Sequence, residues 1–267
     1  MNDTRRIQLA VNYSPETEAL KLEGTVAPDL YKLPDWPDLV TQVAAASPCY
    51  VHFSLVAGMS EPFAPDWPLI DALRTQTGTA KVNLHLEAPH DLDRSSPRQV
   101  AAVLAKAEAD VYQVVRRYGG EQVVLENVPI SGEKDYFKLP IVRPEAIRQV
   151  VEGSGCGLLL DLAHARLAAS ELGMAEREYI SALPVECLGE LHITGVNAHE
   201  GVLVDHMPME PADWDLLDWA LEQIRLGKWK KPEIAAFEYG GLGAPFRWRS
   251  KRSVLARQLP ELQKRMF

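Results

Sequence analysis

Strand-like and helix-like stretches alternate from one end of this 267-residue chain to the other. No other feature restricts its fold as much. Eight apolar or β-branched runs read as strands, at about 6–13, 28–33, 48–55, 80–88, 122–128, 156–162, 188–195 and 232–238. Helical periodicity fills the gaps, most clearly over 97–118, 143–153, 211–227 and 249–266. Pro97 and Pro211 stand where a first helical turn needs no N–H, and Gly119-Gly120 and Gly227 stand where helices commonly end. Eight strands, each followed by a helix or helical loop, pair in parallel through right-handed crossovers. A single (β/α)8 TIM barrel over residues 1–267 meets that count better than an open sheet, and the length is close to the roughly 250 residues usual for such a barrel. The long irregular stretches 129–141 and 196–210 both follow strands, which places them on the catalytic face.

Composition narrows the function classes. Apolar residues make up 46% of the chain, enough to fill a sizeable core, and 28 Lys+Arg against 37 Asp+Glu leave a net charge of −9. A broad grip on a phosphate backbone needs basic surface, so a nucleic-acid partner is not expected. Bound cations can still reverse the local potential at the mouth of a pocket. Cys49, Cys156 and Cys187 are widely spaced with no CxxC, so they read as small buried hydrophobes rather than a disulfide framework or a thiolate zinc site. The opening MNDTRRIQLAVNYS has no apolar stretch long enough for a signal peptide or membrane helix, and a soluble cytoplasmic protein is the expectation.

The seven histidines fall in one part of the pattern. His52, His85 and His192 lie late in strands, and His90, His164, His199 and His206 lie just after strands, with none expected on a helix. In a barrel this gathers them at the C-terminal mouth. Carboxylates join them. From the third strand to the eighth, the strands supply His52, His85, Glu126, Asp161, His192 and Glu238 in turn. Neighbouring strands lie roughly 5 Å apart, so these side chains converge. Alternation sets their direction. In KVNLHLE, Val82, Leu84 and Leu86 share the face that packs on helices, which turns Lys81, Asn83, His85 and Glu87 inward; in GELHITG, Glu190, His192 and Thr194 turn inward likewise, with Leu191 and Ile193 outward. Buried ionisable groups on several strands are costly unless a metal compensates them.

Two local motifs add ligands. Asp161-Leu-Ala-His164 places an imidazole three residues after a strand-end carboxylate, and Asp205-His206 lies in the loop after strand seven. His52, His85, Glu126, Asp161, His164, His192, Asp205, His206 and Glu238 make nine candidate ligands, too many for one tetrahedral ion and suited to two or three. Imidazole and carboxylate without thiolate suit iron, zinc or manganese. His90 and His199 have no sequence partner and are not assigned to the cluster. Asn12, Lys32, Lys81 and Asn127 are candidates for orienting a substrate or for structural roles. Tyr239, next to Glu238, points away on alternation.

These residues together resemble the xylose-isomerase-like barrels, a superfamily that includes endonuclease-four-type enzymes and multinuclear non-heme iron-dependent oxidative enzymes. The resemblance covers nearly the whole chain and rests on VHFSLVAG, LENVP, GLLLDLAHARLAA, ELHITG, LVDHMPM and FEYGG in that order. It carries the trinuclear ligand pattern of the endonuclease type onto the same nine positions. Two positions depart: that pattern has Asp-x-His where Asp205 and His206 are adjacent, and the iron branch commonly has Asn where His164 stands. LENV, LLLD and the YVHF strand after DWPDL are nearer to the iron branch. That branch implies iron and oxygen-dependent chemistry on a cysteine-containing peptide or related thiol. The thiolate would bind one iron while another activates dioxygen, with a separate peptide-recognition partner protein.

The residues alone leave other readings open. A zinc- or manganese-dependent hydrolase or sugar isomerase would use the same ligands, with Glu126 or Glu238 as bridging ligand or base and Asp161 beside them. A non-catalytic metal-binding barrel is the third. Adjacent residues in an extended segment point to opposite sides, so Asp205 and His206 reach one cluster only if the backbone turns sharply between them. His206 is the expected ligand of the two, with Asp205 a weaker ligand or an acceptor for a ligating imidazole.

Overall fold

The computed structural model describes residues 6–199, 201–243, 246 and 248–266. Its strands are β1 (Gln8–Asn12), β2 (Leu30–Pro34), β3 (Cys49–His52), β4 (Val56–Ala57), β5 (Val82–Leu86), β6 (Val123–Glu126), β7 (Gly157–Asp161), β8 (Leu188–Ile193), β9 (Gly195–His199), β10 (Val202–Met207) and β11 (Ile234–Phe237). Nine of them form one sheet in the order β3-β2-β1-β11-β8-β7-β6-β5-β4. Every pairing in it is parallel. The two edges, β3 and β4, follow each other in the chain, separated only by Phe53, Ser54 and Leu55, so the expected third strand at 48–55 breaks after His52 and pairing resumes just past its expected end. The sheet therefore curls until its edges meet, and the fold is the expected TIM barrel with one strand interrupted.

The interruption has a visible cause. Asn83 on β5 takes over both backbone groups of Phe53, accepting from its N–H at 2.7 Å and donating to its carbonyl at 2.9 Å. The side chain thus closes the seam where no ladder bond forms, and Leu55 resumes pairing by accepting the His85 N–H at 2.8 Å.

Helices cover the barrel. They are α1 (Pro15–Leu22), α2 (Pro37–Ala44), α3 (Trp67–Thr77), α4 (Pro97–Tyr118), α5 (Pro144–Ser154), α6 (Leu162–Leu172), α7 (Glu176–Ala182), α8 (Pro211–Arg225) and α9 (Arg252–Arg265). α4 shows why such segments form. Ser96 caps its first turn through the Gln99 N–H, Pro97 occupies the first position, and Val103, Leu104, Ala107, Val111 and Val114 make one buried stripe. Val82, Leu84 and Leu86 of β5, and Leu191 and Ile193 of β8, enter the same core between strands and helices. Inside the barrel a separate cluster of Ala10, Tyr50 and Ala236 lies on the opposite face of its strands. Two small residues there leave room for one tyrosine ring.

Three expectations change. The stretch 196–210 is not irregular: β9 and β10 pair as an antiparallel hairpin, with a register shift between Val204 and Met207. His164 does not precede a helix but lies in the first turn of α6, because Asp161 ends β7 and caps α6 at once. The last helix begins at Arg252 rather than 249, and Arg247, the first residue of the basic run RWRSKR, lies outside the described residues. Among the described residues no helix is long and apolar enough to cross a membrane. Cys49 and Cys156 are buried, Cys187 is half-buried, and all three are free thiols.

Candidate metal centre

The parallel register brings the strand-end residues to one level. His85 is the register partner of Glu126, and Asp161 that of His192. Glu126 sits at the centre, only 3% exposed. Its Oε2 lies 3.1 Å from His85 Nδ1 and 3.6 Å from His52 Nε2. Its Oε1 lies 3.3 Å from His164 Nδ1 and 3.6 Å from His192 Nδ1. One carboxylate thus turns its two oxygens to two different pairs of imidazoles. His52 and His85 approach each other at 3.2 Å between their Nε2 atoms. Burial opposes the charge of Glu126, yet His85 and His192 hold it well below the usual carboxylate range. Burial, then the charges of Lys32 and His85, push His52 well below its ordinary 6.5.

A second group forms around the start of α6. Asp161 Oδ1 accepts the His164 N–H at 2.7 Å as the helix cap, which leaves Oδ2 facing His164 Nε2 at 3.9 Å. Asn127 fixes the Asp161 backbone, accepting its N–H at 2.8 Å and donating to its carbonyl at 3.0 Å. His164 Nδ1 lies 2.9 Å from the Asn127 carbonyl, so its N–H belongs there and Nε2 is left to face Asp205 Oδ2 at 3.1 Å. Burial disfavours a charged His164, but Asp161, Asp205 and Glu126 overcome it and raise the group to about 10.

Asp205 and His206 do reach the same side. The bulge in β10 and a left-handed backbone at His206, φ 54, supply the sharp turn that their adjacency requires. His206 Nδ1 lies 2.7 Å from the Glu238 carbonyl, and its Nε2 lies 3.7 Å from Asp205 Oδ2. Burial lowers His206 to about 4 against the pull of Asp205, and Arg249 lowers it further. Asp205 is held well below its ordinary value despite burial, by His164, His206 and Arg249.

Glu238 Oε1 lies 3.2 Å from His192 Nδ1 and forms a buried ion pair with Lys32. Burial lowers Lys32 to about 8. Lys32 therefore faces the cluster, and Asn12 donates to the Gly240 carbonyl at 3.1 Å. Lys81 does not join them: its Nζ lies 3.2 Å from the Glu121 carbonyl and 4.0 Å from Glu233, beside residues that precede strands. His90 packs on Phe137 and His199 stacks on Trp248, at 4.7 and 4.2 Å between ring centres, so neither faces the cluster. Tyr239 is buried away from it, its hydroxyl accepting the Lys251 N–H at 3.1 Å. Sequence reasoning turned Glu190 inward without a role and missed Tyr50, although CYVHF puts Tyr50 on the same face as His52. Tyr50 Oη donates to Glu190 Oε1 at 2.8 Å, and His192 Nε2 lies 2.9 Å from the same oxygen.

Among the described residues, three groups bring ligand atoms within 4.8 Å of one another: His52, His85 and Glu126; Glu126, Asp161, His192 and Glu238; and His52, Glu190 and His192. His52 Nδ1, Glu126 Oε2, Asp161 Oδ2 and His192 Nδ1 are buried and lack hydrogen-bond partners. Such orphans cost roughly 1–3 kcal/mol each. His192 Nδ1 there faces two carboxylate oxygens, Glu238 Oε1 at 3.2 Å and Glu126 Oε1 at 3.6 Å, an arrangement that a cation satisfies. The donor set thus fits transition-metal ions. A cavity of about 360 Å³ opens onto the cluster, lined by Lys32, His52, His85, Glu126, His164, His206 and Glu238 and by Leu33, Trp36, Leu242 and Phe246. A larger one of about 660 Å³, between the starts of α4 and α5, holds none of the histidines.

Residues 82–228, more than half of the chain, match the family described as RiPP precursor modification enzyme MbnB/TglH/ChrH. The chain belongs to that family. The matched segment includes seven of the nine candidate ligands, and leaves His52 and Glu238 outside it. A UPF0276 protein of Caulobacter sp. (strain K31) is 29% identical over 114 residues, covering 39% of each chain. Another, from Chromobacterium violaceum, is 26% identical over 174 residues, covering 62% of each. The chain thus matches less than two thirds of the length of these curated relatives. Among solved structures, a D-tagatose 3-epimerase-like protein superposes with a TM-score of 0.59 at 12% identity, over 97% of this chain and 96% of that one. At that identity the likeness is one of fold, and it agrees with the TIM barrel described above.

Proposed function

We propose that this chain is an iron-dependent oxidative enzyme that modifies a cysteine-containing peptide at the mouth of its barrel, together with a separate peptide-recognition protein. The central observation is Glu126, whose two oxygens face two imidazole pairs in a chamber of unpartnered ligand atoms. In this reading His52, His85 and Glu126 hold one ion, and Glu126, His192, Asp161 and Glu238 hold a second. His164, Asp205 and His206 complete a third site with Asp161. Iron is favoured over zinc or manganese because a family of precursor-peptide modifying enzymes fits an oxidative role.

Iron held there supplies a Lewis acid for the substrate sulfur and a redox centre for dioxygen. The protein does the rest. Asn127 locks Asp161, and the Glu238 carbonyl locks His206, so the ligands are preorganised. Lys32 holds Glu238 in place. Leu33, Trp36, Leu242 and Phe246 give the cavity an apolar wall that receives the residues flanking the thiol and limits water.

Oxygen consumption by anaerobically purified, iron-loaded protein tests this reading. Uptake should require a cysteine-containing precursor peptide and should vanish with its serine analogue. Uptake indifferent to that change, or none with the precursor and partner present, contradicts it. Turnover of a sugar or a phosphodiester by zinc- or manganese-loaded protein would replace it with the redox-inert reading.

A further inference from the structure

Beneath the cluster, three buried residues form a chain across the barrel. Tyr50 stands on β3 and Glu190 and His192 on β8, and the barrel separates those strands by three others on either side. The phenol can cross because Ala10 and Ala236, the other members of its cluster, are small. Tyr50, Glu190 and His192 are 5%, 3% and 0% exposed, so water does not compete for their hydrogen bonds. Glu190 Oε1 takes the Tyr50 hydroxyl at 2.8 Å and the His192 Nε2–H at 2.9 Å.

A carboxylate only accepts, so the Glu190 contact puts a proton on Nε2 of His192. The neutral ring then has its lone pair on Nδ1. That atom is buried without a hydrogen-bond partner, 3.2 Å from Glu238 Oε1 and 3.6 Å from Glu126 Oε1. We infer that Tyr50 and Glu190 are positioning residues of the metal centre, which fix His192 as a ligand through Nδ1 and strengthen it as a donor. The inference rests on the metal-centre reading above but not on iron or on oxygen chemistry. Glu190 is close enough to His52 and His192 to be a ligand itself. Its Oε1 is already shared by two donors, which favours the positioning role.

Zinc is a suitable probe because it is diamagnetic. In zinc-loaded protein with labelled histidines, long-range proton–nitrogen spectra should show His192 protonated at Nε2 and metal-bound at Nδ1, its signals identified by their loss in His192→Asn. Glu190→Gln should keep the melting temperature of the metal-free fold and weaken one zinc equivalent by roughly 10–100-fold. Tyr50→Phe should weaken the same equivalent by less. His192 bound through Nε2, or Glu190→Gln and Tyr50→Phe variants with unchanged zinc affinity, would overturn the inference while leaving the metal centre intact. Outright loss of an equivalent in Glu190→Gln would make Glu190 a ligand and overturn it too. Wild-type protein that takes up no zinc would remove the metal-centre reading itself. If Glu190→Gln does not fold, the wild-type spectrum and Tyr50→Phe still decide.

Discussion

His206 shows how much one backbone angle can carry. Its φ of 54 is costly for a residue with a Cβ, by about 1–2 kcal/mol, and it is what lets Asp205 and His206 serve one cluster. His206→Gly and His206→Ala remove the same imidazole, so each should empty one metal site. Without metal, the glycine variant should be the more stable by about 1 kcal/mol in urea unfolding, since glycine tolerates that angle. Asp205→Asn should instead weaken metal binding by roughly 10–100-fold. The opposite ranking in metal titrations would assign the ligand to Asp205. His164 gives a pH signature. Its folded value is raised to about 10 from 6.5. In metal-free protein its contribution to stability should be complete below about pH 6.5 and be lost as the pH rises through about 10. Urea midpoints across that range should fall in the wild type and stay flatter in His164→Asn.

At the scale of elements, most strands were legible because their outward residues are apolar and their inward ones polar, as in Val82-Asn83-Leu84-His85. That period turned the candidate ligands His85 and His192 inward, whereas His52, Glu126, Asp161 and Glu238 were placed by their positions at or just past strand ends. What escaped was set by contacts distant in sequence or by boundaries without a gap. The break at Phe53 depends on Asn83, 30 residues away. The β9–β10 hairpin follows β8 after a single residue, so no turn announces it. His164 seemed to lie in a loop because Asp161 is strand end and helix cap together. Glu190 and Tyr50 faced inward by pattern, but nothing in the sequence joins strands on opposite sides of a barrel. The seam makes its own prediction. Asn83→Ala strands the buried N–H and carbonyl of Phe53 and should destabilise metal-free protein by about 2 kcal/mol or more, and it removes the Asn83 Nδ2 contact with His52 Nε2 at 3.1 Å. An urea midpoint unchanged from wild type would mean that the barrel closes without Asn83.

For the molecule as a whole, the barrel explains why nine ligand-type residues from widely separated segments can meet, and the family explains why such a meeting has a chemical use. Glu126, Asp161 and Glu238 are buried together, and cations among them offset the cost of that burial. The central proposal is therefore that the mouth would hold more than one metal ion, with Glu126 common to two of the ligand groups. Elemental analysis of protein purified without oxygen and supplied with iron tests it most directly, with Glu126→Ala alongside and circular dichroism to show that both are folded. Wild-type protein should hold two to three equivalents of iron, and Glu126→Ala should lose more than one. One equivalent or fewer in the wild type, or an unchanged content in Glu126→Ala, would contradict it.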